Sequence, residues 1–161
     1  MSKFNFCLVL LSAFYIAQSH SVQRREVQNE KVVLSNLTPK QLDDLERKVY
    51  EECAVKLNVD KGYVEKYFRN DTGVPDDVGF KKITGCYGEK MGYVSGTKPN
   101  WERLRESYEV YYKDNKEDLE TALKIVDECQ KIPLDNLDGN EVNYTLAKCT
   151  KEGYLKSGLE W

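Results

Sequence analysis

Histidine is nearly absent from this chain. Its single histidine, His20, lies among 161 residues at the edge of an N-terminal apolar segment. Serine and cysteine hydrolases use a histidine as general base, and most zinc sites include one as a ligand. The sequence therefore excludes histidine-dependent hydrolase triads and most zinc sites. We predict no catalytic residue, no metal site and no cofactor, and we predict that the protein is not an enzyme.

An excess of basic charge is also lacking. The chain has 24 lysines and arginines against 27 aspartates and glutamates, and the two signs are interspersed along it. Proteins that bind polyanions by charge need a concentration of basic residues. Nucleic acid is therefore not an expected partner, and the charged runs indicate solvent-facing helix surfaces.

Residues 1–21 have the pattern of a secretory signal peptide. Lys3 precedes an apolar run from Phe6 to Ala17, and small and polar residues follow the run. The run is shorter than the roughly 20 residues that span a bilayer. We predict cleavage near residue 21 and secretion into extracellular fluid, without a membrane span. The alternative interpretation is an uncleaved membrane anchor.

The cysteines predict disulfides. Cys7 lies in the segment that is expected to be removed, which leaves Cys53, Cys86, Cys129 and Cys149. An even set in an oxidising compartment predicts two disulfides, and counting alone leaves all three pairings open.

The strongest helix signal is at Thr38. Thr38 and Gln41 can form a capping box, Pro39 suits the first turn, and Leu42 and Cys53 belong to one apolar line of the following helix. Strand-like alternation is not prominent anywhere. We predict an all-α domain of about six amphipathic helices, held by two disulfides.

Further helix starts follow capping or turn-forming residues. They are expected after Asp60, at residues 75–77, after Asn100, after Asn115, and beyond a loop over residues 134–140. The central helix, which opens at Pro75, is predicted to end at Gly92 and to bury a face of Val78, Ile83, Tyr87 and Met91. Residues 95–99 are predicted to form a turn.

Four segments carry a family resemblance. They are LTPKQ at 37–41, CYGEKMGY at 86–93, IVDEC at 125–129 and LAKC at 146–149. With these segments the chain resembles the insect odorant-binding proteins, which have the pheromone and general odorant-binding fold. The resemblance covers residues 37–154, with an arm over 22–36 and a tail over 155–161.

The chain departs from the six-cysteine pattern of that family. Lys82 and Asn140 stand where the family has two further cysteines, which is typical of the minus-C subgroup. The resemblance then implies the pairs Cys53–Cys86 and Cys129–Cys149. Lys82 is expected either to reach Asp138 or Glu141 across the missing disulfide or to point to water.

The resemblance implies that the helices surround an internal hydrophobic cavity. It also implies a secreted carrier that binds a small hydrophobic ligand, such as an odorant or pheromone, in this cavity. Two alternatives stay open. One is a relative in saliva, venom or reproductive secretions that sequesters amines or lipids, and the other, more remote, is a small secreted hydrolase. A receptor or a second copy of the chain also stays open as a partner.

Apolar and aromatic residues on the helix faces are candidates for the cavity wall, with plain core packing as the alternative for each. The predicted wall consists of Ile83, Tyr87, Met91, Leu104, Tyr108, Tyr111, Leu123 and Val126. Trp161 is expected either to close the cavity or to lie free.

Three sequons permit N-glycosylation. Asn36 and Asn70 are the candidates, and Asn143 is the least accessible because it falls within a predicted helix.

Overall fold

The structure, a computed structural model, describes residues 32–60, 62–69 and 72–159. The predicted signal peptide, Asn70 and Trp161 lie outside these residues. Within them the all-α prediction is confirmed. The helices are α1 (Pro39–Leu57), α2 (Gly62–Tyr67), α3 (Val78–Met91), α4 (Trp101–Tyr111), α5 (Lys116–Cys129) and α6 (Gly139–Ser157), with a short 3₁₀ helix at Leu34–Asn36.

Helix α1 begins as the sequence predicts. The backbone N–H of Gln41 donates to Thr38 Oγ1 at 3.2 Å, and the backbone N–H of Thr38 donates to Gln41 Oε1 at 2.9 Å. These bonds form a complete capping box, and Pro39 occupies the first turn. Asn100 and Asn115 likewise cap α4 and α5 by accepting the N–H three residues later.

Helix α3 begins later than predicted. Asp77 is its N-cap and accepts the N–H of Phe80 at 2.9 Å, so Pro75 lies before the helix. Val78 is 68 % exposed, and its predicted place on the buried face is wrong. The error comes from the spacing, because Val78 lies five residues before Ile83. The residue one turn before Ile83 on the same face of α3 is Phe80, and Phe80 is buried. Gly92 ends α3 with a φ of 74°, as predicted.

The predicted turn at 95–99 is the centre of a small β-hairpin. Strands β1 (Val94–Ser95) and β2 (Lys98–Pro99) pair antiparallel, with Val94 opposite Pro99. Gly96, with a φ of 60°, allows the reversal. Helix α6 begins within the predicted loop and continues to Ser157, into the segment expected to be the tail.

Both disulfides have the pairing that the resemblance implies. Cys53 is bonded to Cys86 and links α1 to α3, and Cys129 is bonded to Cys149 and links α5 to α6. Helices α3 and α6 also pack closely without a disulfide between them. Gly85 and Gly88 make this possible, because a Cβ at either position would overlap the side chain of Asn140 or Asn143 on α6.

The bridge from α3 to α6 is made by Lys81, not by Lys82. Lys81 Nζ lies 3.1 Å from Glu141 Oε1 and 3.0 Å from Asp76 Oδ1, and 4.8 Å from the centre of the Tyr144 ring. Lys82 is exposed, and no hydrogen bond or ion pair joins it to another described residue. The bridging role expected for Lys82 is therefore wrong, and its alternative, a side chain in water, is what the structure has. Consecutive residues of an α-helix are rotated by about 100° about its axis, so Lys81 and Lys82 point in different directions.

Candidate ligand-binding site

A cavity of about 170 Å³ lies between four of the helices and the hairpin. Helices α1, α3, α4 and α6 contribute most of its wall, and α2 and β1 complete it. The wall consists of Asp43, Glu46, Arg47, Tyr67, Phe68, Thr84, Tyr87, Gly88, Tyr93, Val94, Leu104, Ser107, Tyr108, Tyr111, Tyr112, Asn143, Leu146, Ala147, Thr150 and Tyr154.

Seven of the wall residues are tyrosines, and most of the wall is buried. Among all wall residues only Arg47 is exposed, which places the opening of the cavity beside α1. There Arg47 Nε donates to both carboxylate oxygens of Asp43 at 3.1 Å, and its guanidinium lies 4.3 Å from the centre of the Phe68 ring. A charged pair and an aromatic ring thus border the entrance.

A buried carboxyl group faces the cavity from α1. Glu46 is 8 % exposed. Tyr93 Oη donates to Glu46 Oε1 at 2.5 Å, and Tyr111 Oη donates to Glu46 Oε2 at 2.9 Å. The two hydroxyls come from the end of α3 and from α4, so Glu46 holds three elements together at one end of the cavity.

Burial raises the pKa of Glu46 above its ordinary value, because the charged form loses hydration. Hydrogen bonds from Tyr93, Tyr111 and Tyr87 oppose this rise by stabilising the carboxylate, and the negative charge of Asp43 adds to it. Of the two acids in the described wall, Glu46 is thus the buried one and Asp43 is half-exposed.

Burial also raises the pKa of the tyrosine hydroxyls around the cavity. Desolvation is the largest cause for each of them, so the phenols stay protonated and can donate hydrogen bonds. This holds for Tyr67, Tyr87, Tyr93, Tyr108, Tyr111 and Tyr154.

The small polar side chains of the wall bond to their own helices. Thr84, Ser107 and Thr150 donate to backbone carbonyls three or four residues earlier, at 2.7–3.2 Å. Asn143 Nδ2 donates to the Gly139 carbonyl at 2.8 Å. These donors are engaged, so the wall presents mainly apolar surface to the cavity.

A buried lysine positions the aromatic residue that α2 contributes. Lys151 on α6 is fully buried, and its Nζ donates to the Tyr67 carbonyl at 2.5 Å. A cation at the C-terminal carbonyls of a helix is favoured by the helix dipole. Lys151 thereby holds the end of α2 against α6, with the Tyr67 ring in the cavity wall.

Four of the predicted wall residues surround the cavity together: Tyr87, Leu104, Tyr108 and Tyr111. The other described ones do not line it. Ile83 packs toward α1 beside Tyr50, and Met91 packs near the 3₁₀ helix beside Leu34. No structural observation assigns a role to Trp161, which lies outside the described residues.

Helix α5 packs against the outer side of the cavity wall and contributes no residue to it. Val126 packs against Tyr108 and Tyr154 from outside the cavity, and Leu123 is half-buried away from it. The broad apolar side of α5 predicts burial correctly, but that side supports the wall tyrosines instead of forming the wall.

Sequence reasoning missed Glu46 and one face of α6. A signal for Glu46 exists, since it lies four residues after Leu42 and four before Tyr50, both fully buried. On α6 the cavity face mixes polar and apolar residues, namely Asn143, Leu146, Ala147, Thr150 and Tyr154. Asn143 is 6 % exposed, so its sequon is inaccessible in the fold, whereas Asn36 is exposed.

None of the helices in the described part of the chain is both long and apolar enough to cross a lipid bilayer. Across residues 32–60, 62–69 and 72–159, no group of three histidine, cysteine or acidic side chains is arranged to hold a metal ion.

The described residues thus define an all-α protein whose disulfide-linked helices surround a cavity with an apolar, tyrosine-rich wall, and concave apolar sites of this kind are typical of small-molecule binding. The family model described as PBP/GOBP family matches residues 35–153. The chain therefore belongs to the PBP/GOBP family, whose members are secreted carriers of small odorant or pheromone ligands and not enzymes. Comparisons with curated proteins and with solved structures found no match.

Proposed function

We propose that this protein is a secreted carrier of the minus-C type that binds one small hydrophobic molecule, of the size of an odorant or pheromone component, in the cavity among α1, α3, α4 and α6. The observation that carries the proposal is the cavity itself, about 170 Å³ with a mainly apolar wall. An apolar cavity of about 150 Å³ is sufficient for a protein to take up benzene.

Secretion is part of the proposal. Two disulfides join helices that are distant in sequence, and such bonds persist in oxidising compartments. Lys82 and Asn140 supply no third bridge. The α3–α6 pair is held without a disulfide by the close packing at Gly85 and Gly88 and by the ion pair from Lys81 to Glu141.

The tyrosines suit a carrier that holds a ligand reversibly. Their rings offer apolar contact, and their hydroxyls offer hydrogen bonds to a polar end of the ligand. Four of them, Tyr87, Tyr93, Tyr108 and Tyr111, come from two helices and the segment after α3, so a ligand contacts several elements at once.

The test is displacement of the fluorescent apolar probe N-phenyl-1-naphthylamine by apolar volatiles and fatty acids. Ala147→Phe places a phenyl group in the cavity and should weaken binding at least tenfold. Val55→Phe is the matched control, because Val55 is 65 % exposed on α1 and lies outside the wall. A folded Ala147→Phe protein that binds as wild type does would refute the assignment of this cavity, and failure of every compound to bind would refute the carrier function.

A further inference from the structure

Glu46 is an acid in a wall that is otherwise mostly apolar. Its side chain enters the cavity from α1 and is almost completely removed from solvent. Asp43, the other acid of the wall, is half-exposed and already pairs with Arg47 at the entrance. The two carboxylates therefore face different environments, and only that of Glu46 lies deep in the cavity.

The Glu46 carboxylate has hydrogen-bond donors but no cation. Tyr93 and Tyr111 each donate to one of its oxygens, at 2.5 and 2.9 Å. Within the described residues, no lysine or arginine forms an ion pair with Glu46. A buried carboxylate without a counter-charge is costly, and a bound cation would remove that cost.

The carboxylate also has unused acceptor capacity. A carboxylate can accept about four hydrogen bonds, and the hydroxyls of Tyr93, Tyr111 and Tyr87 leave about one position free. The hydroxyls of Thr84, Ser107 and Thr150 donate to their own helix backbones and do not reach it. The remaining position is therefore available to a donor on a molecule inside the cavity.

Resting on the proposed carrier function, we propose that the cavity selects a small apolar amine in its protonated form, with the ammonium group donating to Glu46. The apolar body of the amine lies against the tyrosine rings. Those rings also attract a cation through their faces, so the same wall favours both parts of the ligand.

Neutral molecules of equal shape lack this advantage. A hydrocarbon leaves the carboxylate without a counter-charge, and an alcohol donates one hydrogen bond without neutralising it. Hydrogen bonds between charged groups change an affinity by about tenfold or more. The amine should therefore bind at least tenfold more tightly than either neutral analogue.

Calorimetric titration at pH 7 with three matched compounds tests this. These are 2-phenylethylamine, 2-phenylethanol and propylbenzene, which share a phenyl ring and differ in the last group of the chain. Tightest binding of the amine, by tenfold or more, supports the proposal. Equal or tighter binding of the alcohol or of propylbenzene overturns the selectivity and leaves the carrier function standing. If none of the three compounds nor N-phenyl-1-naphthylamine binds, both proposals are overturned.

The variant Glu46→Gln assigns the selectivity to one group. Glutamine keeps the shape of the side chain and removes its charge, so the tenfold preference for the amine should disappear while propylbenzene binds as before. Glu51→Gln is the matched control, because Glu51 is exposed on the same helix and lies outside the wall. An amine preference that survives Glu46→Gln, or that is lost equally in Glu51→Gln, overturns the role of Glu46. If Glu46→Gln does not fold, the comparison of the three compounds on the wild-type protein still decides.

Discussion

The contact between α3 and α6 depends on Gly88 having no side chain. A Cβ at this position would overlap the side-chain amide of Asn143. Asn143 is buried, and its Nδ2 is hydrogen-bonded to the Gly139 carbonyl at 2.8 Å, so it cannot turn aside freely. We therefore predict that Gly88→Ala destabilises the protein, although alanine is the better helix former.

The size of the effect follows from two opposing contributions. Replacing a glycine inside a helix by alanine stabilises by about 1 kcal/mol. Overpacking a close contact costs about 1–3 kcal/mol, and rotating Asn143 away instead leaves a buried amide unsatisfied at a similar cost. Because the added Cβ would overlap Asn143 Oδ1 outright, the cost lies in the upper part of its range, and the expected net loss is about 1–2 kcal/mol in the free energy of unfolding.

Gly85→Ala is the matched comparison. A Cβ there meets the side chain of Asn140, which is exposed at the start of α6 and can rotate into water, and the Cβ keeps a contact of 3.2 Å with the Asn140 Cα. The helix-propensity gain then offsets the remaining crowding, and the stability should stay within about 0.5 kcal/mol of wild type.

Urea unfolding with the disulfides intact measures these values, and a double-mutant cycle identifies the cause. In the pair Gly88→Ala and Asn143→Ala the new methyl group has room, so the double variant should be more stable than the sum of the single effects by about 1–3 kcal/mol. Additive effects within about 0.5 kcal/mol, or a Gly88→Ala protein as stable as wild type, would refute the packing argument.

Three further perturbations test other features of the fold. Lys81→Ala should lower the thermal midpoint and Lys82→Ala should leave it unchanged, since only Lys81 bonds to α6; equal effects would contradict the assignment. Tyr50→Phe should raise the free energy of unfolding by up to about 1 kcal/mol, because the buried Tyr50 hydroxyl has no hydrogen-bond partner among the described residues. A lower free energy of unfolding for Tyr50→Phe in urea would contradict this. The raised pKa of Glu46 means that its protonated form stabilises the fold below about pH 4.5 and that this contribution is lost as pH rises through the folded-state pKa. The stability of wild type relative to Glu46→Gln should therefore fall between pH 4 and neutrality, and a flat difference would argue against the shift.

Local sequence is enough to place the beginning of three of the six described helices, α1, α4 and α5. At Thr38, Asn100 and Asn115 a side chain bonds to a backbone N–H three residues later, and such bonds need nothing from the rest of the chain. Local chemistry of this kind can be recognised in the sequence, and the same is true of the glycine that ends α3.

Burial was predictable from helical spacing, but the partner of each buried face was not. Tyr87 and Ile83 lie on the same side of α3, yet Tyr87 borders the cavity and Ile83 packs against α1. The apolar side of α5 likewise supports Tyr108 from behind. Both positions look alike in sequence because periodicity reports that a residue is inside, not what it faces.

Only the tertiary structure decided the electrostatic features. It brings Tyr93 and Tyr111 onto Glu46, and it turns Lys81 toward Glu141 while Lys82 faces water. Each pair is separated by about 50 or more positions in the chain, so no local pattern encodes it. The strength of a charge interaction depends on distance and on exclusion of water, and both are set when the helices pack.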